Sequence, residues 1–283
     1  MKRKSKVFKV NIILAAMVLL SIGLVQVFAA SPEETKISTV NWNMMSTDGN
    51  KGRSNTNLYW FKFAFLDRSM ASGTIQEICS NEFETLKNDM KMQGYFYKYY
   101  WHGACPKGEY YGMGIIFRGK KIGATRRPFT AQPNKSFKYG AQARGMICVK
   151  HLYLDKRITS CVSHIWFDKD QRYHIKNNFE GGKQLREYEA AAKDYAYWTG
   201  GYNWAGSNVI FLNGDFNQLP DAVKRNAPEW QDLVKRNTHD ARKTPTIQLD
   251  YIMVPWWILG RQEGHTSCNV GSDHCLTIGS VWV

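Results

Sequence analysis

The sequence contains no Cys-x-x-Cys pair, which excludes the usual thiolate metal centres from its six cysteines. It also has no Pro/Gly/Ser-rich linker, no internal repeat and no low-complexity tract. Those absences exclude a repeat array and leave no domain boundary in view. Acidic residues are scarce: 24 Asp and Glu face 38 Lys and Arg, for a formal charge of +14. Such an excess favours polyanionic partners, either nucleic acid or an anionic membrane surface.

A basic head (Lys2, Arg3, Lys4, Lys6, Lys9) precedes a nearly unbroken apolar run from Ile12 to Phe28 and the small-residue exit Ala29-Ala30-Ser31-Pro32. These are the three parts of a secretory signal peptide over 1–30, with cleavage near Ala29 or Ala30. The alternative is an uncleaved anchor, for which the run is short. Residues 31–283 are then expected to form one exported domain, extracellular or periplasmic. The leader takes five positive charges and no acid with it, leaving 14 − 5 = +9. An even cysteine count in an exported chain points to disulfides. In a hairpin turning between Leu154 and Asp155, Cys148 falls opposite Cys161. Cys268 and Cys275 close a small loop, which leaves Cys79 for Cys105.

Periodicity predicts strands over 37–43, 73–79, 95–101, 113–118, 209–212, 248–254 and 275–283, with a hairpin over 144–166. Helices are expected over 55–71, 81–92, 184–198 and 221–236. Strands outnumber helices and hairpins mix with crossovers. This suits an α/β fold of two mixed sheets packed face to face with helices outside.

Several strands carry polar groups that a core does not want. The clearest is the run Val209–Leu212, which ends in Gly214-Asp215-Phe216-Asn217 and brings a carboxylate and an amide to a sheet rim. Others are Asn43, Glu77 between Ile75 and Ile78, Asp250 inside Leu249–Ile252, and Asp273-His274 before the last strand. A carboxylate in a β-run is costly to bury unless it is paired or metal-bound. If Cys148 faces Cys161, Gly145 faces His164 and Arg144 lies beside it. An imidazole next to a guanidinium suits phosphate chemistry. Glu77 with Asn43 or Asp273 offers a hard-metal site, and Asp250 is a candidate orienter of His274.

In order, Trp42-Asn43, Gln76-Glu77, Arg144, Ser163-His164, Gly214–Asn217, Leu249-Asp250-Tyr251 and Ser272-Asp273-His274 resemble the endonuclease/exonuclease/phosphatase superfamily over residues 37–283. The resemblance is strongest to secreted DNase I-like nucleases, including the nuclease subunit of cytolethal distending toxins. It implies a four-layer α/β sandwich and Mg²⁺ (or Mn²⁺) at Glu77, Asn43 and Asp273, with a structural Ca²⁺ as a further expectation. His274, oriented by Asp250, would serve as base and His164 on the leaving side, an assignment that can be reversed. Asp215 and Asn217 would hold phosphate, metal or water, and Arg144 the phosphate. One departure stands out. Relatives carry a glutamate partner for the histidine matching His164, whereas here the local text offers Glu109 in a shifted register or Tyr111.

Fold and catalytic set do not name the substrate. The basic cluster Arg118, Lys120, Lys121, Arg126, Arg127, Lys135 and Lys138 suits a DNA backbone, with RNA as a second nucleic-acid candidate. The alternative is a sphingomyelinase or phosphoinositide phosphatase. Its support is Trp256-Trp257, which could enter a bilayer interface or pack on the core. A non-enzymatic binding module is disfavoured because nearly every expected catalytic residue type is present. No obligate protein partner follows from the sequence.

Overall fold

The structure is a computed structural model that describes residues 34–44, 54–67, 69–98, 105, 109–131, 144–166, 179–198, 208–238, 247–258, 260–268 and 272–283. The expected leader over 1–30 and its expected cleavage site, with Lys135 and Lys138, lie outside these residues. Within the unit Lys36–Val283 the chain runs β1 (Lys36–Asn43), α1 (Ser54–Phe65), β2 (Met70–Cys79), α2 (Ser80–Asp89), β3 (Gln93–Lys98), β4 (Tyr111–Phe117), β5 (Lys120–Pro128) and β6 (Gly145–Tyr153). It continues β7 (Lys156–His164), α3 (Phe179–Trp198), β8 (Asn208–Asp215), α4 (Pro220–Asn226), β9 (Trp230–Asp232), β10 (Asp250–Pro255), β11 (Gln262–Ser267) and β12 (Leu276–Trp282).

Two six-stranded sheets form, in the orders β11-β12-β1-β2-β4-β3 and β5-β6-β7-β8-β10-β9. Each has one parallel pair at its centre, β1–β2 joined through α1 and β7–β8 joined through α3. The described neighbours of these pairs run antiparallel. Alternation along the strands sorts the layers. From the first sheet, Val40, Trp42, Ile75 and Ile116 pack on Phe61 and Phe65 of α1 and Phe83 and Leu86 of α2. From the second, Cys148, Cys161, Leu212 and Met253 pack on Leu185, Tyr188, Ala192 and Ala196 of α3. The inner faces join through Met113, Ile115, Ile147, Val149 and Val162 at one side and Ile37, Phe211, Ile252 and Val281 at the other. This is the expected four-layer sandwich.

Between the apolar flanks the sheets meet through polar side chains. Ser160 Oγ donates to Ser72 Oγ (2.6 Å), and Asn213 Nδ2 donates to Thr39 Oγ1 (3.2 Å). Asn41 Oδ1 accepts from Thr74 (2.9 Å) and Gln76 (2.7 Å). A buried polar seam therefore runs up the middle of the sandwich to the rim where Asn43 stands.

The sequence expectations fail in four places. The first helix ends at Phe65 rather than residue 71. Asp67 Oδ1 accepts from the backbone N–H and hydroxyl of Ser69, both at 2.9 Å, and this turn starts β2. The helix expected over 221–236 stops at Asn226, because Pro228 pushes the preceding residue out of the helical region, and β9 follows instead. Strands β5 and β11 were not foreseen. Both are sheet edges with few buried side chains, so they lack the alternation that marks a half-buried strand. The hairpin holds: Leu154 and Asp155 take left-handed φ values of 50° and 58°, as a tight primed turn requires, and Cys148 pairs with Cys161. All three expected disulfides are present: Cys79–Cys105, Cys148–Cys161 and Cys268–Cys275.

His151 on β6 is fully buried and donates from Nδ1 to the Arg118 carbonyl at the end of β4 (2.8 Å), tying the two sheets together. Burial lowers its pKa from 6.5 to about 4, with the carbonyl partly opposing. The folded pKa is depressed, so this contribution is complete above pH 6.5 and is lost as pH falls toward 4, on the order of 3 kcal/mol at most. Urea unfolding of wild type should weaken over that range, and His151→Gln should flatten the dependence.

Candidate active site

Parallel strands β1, β2, β7 and β8 all point their C-terminal ends to one rim of the sandwich. The antiparallel β10 begins there, and the chain crosses the rim again just before β12. This topology alone gathers Asn43, Glu77, His164, Asp215, Asp250 and His274, whatever their separation in sequence. Asp250 pairs with Asp215, and His164 pairs with Asp215 on its other side.

Asp215 is the hub. Its Oδ2 accepts from Asn43 Nδ2 (3.0 Å), across the two sheets, and lies 3.5 Å from His164 Nε2 and 3.8 Å from His274 Nε2. Its Oδ1 accepts the Asn217 backbone N–H (2.9 Å). The residue before it must be glycine. Gly214 has φ 154°, and a Cβ there would lie 2.0 Å from the Ser163 carbonyl oxygen. Phe216 then locks the turn by stacking on Tyr251 (5.1 Å) and meeting Tyr188 edge-on (5.9 Å). Asn217, at φ 48°, donates from Nδ2 to the Ile165 carbonyl (3.0 Å), so its amide nitrogen braces the turn.

His274 Nδ1 bonds Asp250 Oδ2 (2.8 Å), and its Nε2 stands 4.0 Å from Asp273 Oδ1. The pair is held by Thr238, which the sequence did not single out, and by Ser272 and Trp42 of the quoted motifs. Thr238 Oγ1 accepts the backbone N–H groups of Leu249 (3.1 Å) and Asp250 (2.9 Å). Ser272 Oγ donates to the Asn43 carbonyl (2.8 Å) and accepts the His274 N–H (3.0 Å), and Trp42 Nε1 donates to the His274 carbonyl (3.1 Å). Threonine serves in so many surface roles that no sequence pattern marks Thr238.

Glu77 is not an in-line strand residue. The β2–β4 register shifts between Ile75 and Ile78, and Glu77 sits on this bulge with φ 56°. A bulge re-aims a side chain, and a left-handed non-glycine residue costs about 1–2 kcal/mol that the surrounding structure must bear. Its Oε1 lies 3.6 Å from His164 Nε2. Glu77 thus stands beside His164 itself. Tyr111, from the neighbouring strand, hydrogen-bonds Glu77, whereas Glu109 bonds the Asn81 backbone. Arg144 donates to the His164 carbonyl (3.4 Å), with its guanidinium 5.8 Å from the centre of the Trp166 ring. All nine expected site residues therefore meet at this rim.

The electrostatics separate the two histidines. Burial disfavours a charged His274, but Asp250, Asp215 and Asp273 outweigh it and push its pKa up to about 10. Burial, with Arg144 and His274 adding to it, holds His164 well below its ordinary value. Burial also lifts Glu77 and raises Asp215 to about 7, the latter opposed by His274 and reinforced by Asp250.

No sequence-family model matches the chain, and no curated protein matches it in sequence. Solved structures do. The endonuclease/exonuclease/phosphatase from Bacteroides vulgatus superposes with TM-score 0.63 at 14% identity, covering 87% of this chain and 98% of that one. The human Nocturnin catalytic domain gives 0.60 at 14%, covering 88% and 95%. D. rerio TDP2, complexed with single strand DNA product, gives 0.59 at 17%, covering 87% and 98%. The chain has the DNase I-like fold. In this fold the rim described above is where the strand ends of both sheets converge.

The donor set fits a hard divalent cation. Four carboxylates (Glu77, Asp215, Asp250, Asp273) crowd one rim, and burial already pushes two of them toward neutrality. Among the described residues, one three-ligand cluster has its ligand atoms within 4.8 Å of one another: Asp215, Asp250 and His274. Within it, Asp250 Oδ2 and His274 Nδ1 are already bonded to each other, and the cluster differs from the expected set of Glu77, Asn43 and Asp273. The expected structural Ca²⁺ has no separate carboxylate cluster among the described residues.

Gly214→Ala should cost on the order of 2 kcal/mol or more, because the obstacle is backbone rather than a movable side chain. A smaller loss in calorimetry would show that the turn carrying Asp215 yields.

Proposed function

We propose that the protein is an exported, divalent-metal-dependent phosphodiesterase that cleaves DNA with little sequence preference. The observation that carries this is the convergence of His164 and the Asp250–His274 pair on Asp215, with Arg144 alongside. The leader-like residues 1–30 and the three disulfides support export, with residues 31–283 as the mature domain.

Glu77, with Asn43 and Asp273, would hold Mg²⁺ or Mn²⁺. When bound, that ion supplies charge for the phosphoryl and leaving oxygens and offsets the carboxylates. Asp250 fixes the tautomer and direction of His274 by occupying Nδ1, so Nε2 is the nitrogen that takes a proton from water. With the carboxylate charge partly offset, the imidazole loses the support that keeps it protonated. His164, kept neutral by burial, hydrogen-bonds the phosphate or leaving oxygen. Arg144 holds a phosphate oxygen, and Asp215 orients both histidines. Asn217 fixes Asp215 by its backbone, and its amide oxygen accepts from water.

Nucleic acid is favoured over lipid by the position of the tryptophans. Trp256 is 57% exposed, so it does not pack on the core. However, it follows β10 at the end opposite Asp250, six residues and about 20 Å along the strand. A bilayer entered by Trp256 would lie at the wrong end of the sandwich to present a headgroup to the site. The basic excess and the single-stranded DNA on the TDP2 neighbour point to nucleic acid as well.

Mature protein should be assayed on supercoiled plasmid, RNA, sphingomyelin and a phosphoinositide, each with Mg²⁺ and with chelator. Plasmid nicking should appear, vanish with chelator, and fall by about 10²-fold or more in His164→Ala and His274→Ala. Cleavage of sphingomyelin with intact plasmid would contradict the reading.

A further inference from the structure

At one margin of the sandwich the edge strands β3 and β5 lie against each other. These two strands carry Lys98, Lys120, Lys121, Arg126 and Arg127 and no acidic residue. The fold divides the basic cluster. Arg118 is tied to α1, donating to the Phe65 carbonyl (2.6 Å) and covering its ring at 5.2 Å. Arg127 reaches toward Asp194 on α3 (4.0 Å), on the outer face. Lys121 and Arg126 turn to the margin. Lys121 Nζ lies 5.7 Å from the centre of the Tyr95 ring, and the Arg126 charge acts on the Tyr97 phenol, opposing the rise in pKa that burial causes.

This margin leads into the rim. A Cβ on Gly145 would lie 2.8 Å from the Tyr97 hydroxyl, so Gly145 leaves room for that ring. Gly145 adjoins Arg144, and the register Met146↔Ser163 sets it opposite His164. Tyr97 also packs with Tyr111, which bonds Glu77. Lys121, Tyr95, Arg126 and Tyr97 thus mark the side of the molecule that leads to the rim.

We propose that the β3–β5 margin binds the flanking part of a single nucleic-acid strand, which makes the substrate a chain of several nucleotides rather than a small phosphodiester. This rests on the phosphodiesterase reading and adds subsites to it. The apolar cluster of Tyr95, Tyr97, Ile147 and Ala124 fills the space between the sheets here, so the strand would lie along the outside of the margin. Arg126 pairs with Ile147, two strands across and two residues along from His164, or roughly 12 Å away. Lys121 pairs with His151, four residues further, at roughly 22 Å. Both distances exceed the reach of one nucleotide, so these side chains would meet phosphates several positions from the cut.

The test uses wild type and Lys121→Ala/Arg126→Ala on bis(p-nitrophenyl) phosphate and on single-stranded oligonucleotides from dinucleotide to dodecamer. The wild-type kcat/KM should rise with length over several nucleotides and then level off. The variant should match wild type on the small diester and lose about tenfold or more on the longest strands. Anisotropy of labelled oligothymidylate in chelator reads the margin without turnover, and there the log–log salt slope of the variant should be shallower by about 1.4. Length-independent cleavage, equal oligonucleotide affinity in both proteins, or tighter binding of a duplex of equal length would overturn the proposal. A wild type that cleaves neither diester nor oligonucleotide would remove the phosphodiesterase reading, while anisotropy still decides whether the margin binds a strand.

Discussion

The hydrogen bond from Asn43 to Asp215 joins the end of one sheet to the end of the other, across 172 positions of sequence. It closes the polar seam that runs between the sheets and fixes the carboxylate that both histidines face. Because a buried carboxylate is expensive, its neighbours must be exact in place: one amide, one backbone N–H and two imidazoles surround it. Any slip of β1 against β8 would turn Asn43 away and leave Asp215 buried among other acids.

The same constraint explains how charge is arranged. Asp250, Asp215 and Asp273 press on one histidine and keep it positive, while Arg144 and burial keep the other neutral. Two identical side chains a few ångströms from one carboxylate thus acquire opposite states from their surroundings. The carboxylates remain in excess at the rim, a standing cost in stability that a bound cation would relieve. Sites assembled for catalysis commonly carry such uncompensated polarity, whereas a rim selected for stability alone would replace it with apolar contacts.

Much of this was legible in the sequence because the strands that carry the site are buried. A short apolar run ending in Gly-Asp-Phe-Asn, or Asp250 set between Leu249 and Tyr251, stands out where surroundings are apolar. The hairpin register followed from one turn, and with it the placing of Arg144 beside His164. What escaped had no local signature. The Glu77 bulge contains no glycine to announce it, and its geometry comes from pairing with β4. Edge strands β5 and β11 face solvent too widely to show a period of two. Thr238 acts on residues brought close only by the finished fold. Helix ends at Phe65 and Asn226 were set by an Asp67 turn and by Pro228, which compete with an apolar spacing that continues past both.

The central claim is that residues scattered from Asn43 to His274 form one cation site that supports phosphodiester hydrolysis. Electron paramagnetic resonance of Mn²⁺ titrated into the mature protein tests it most directly, with Glu77→Gln as the comparison and circular dichroism as the check on folding. The account predicts one tightly held ion per chain in wild type and its loss in a normally folded Glu77→Gln protein. Equal Mn²⁺ binding by the two proteins, or none by wild type, would contradict it.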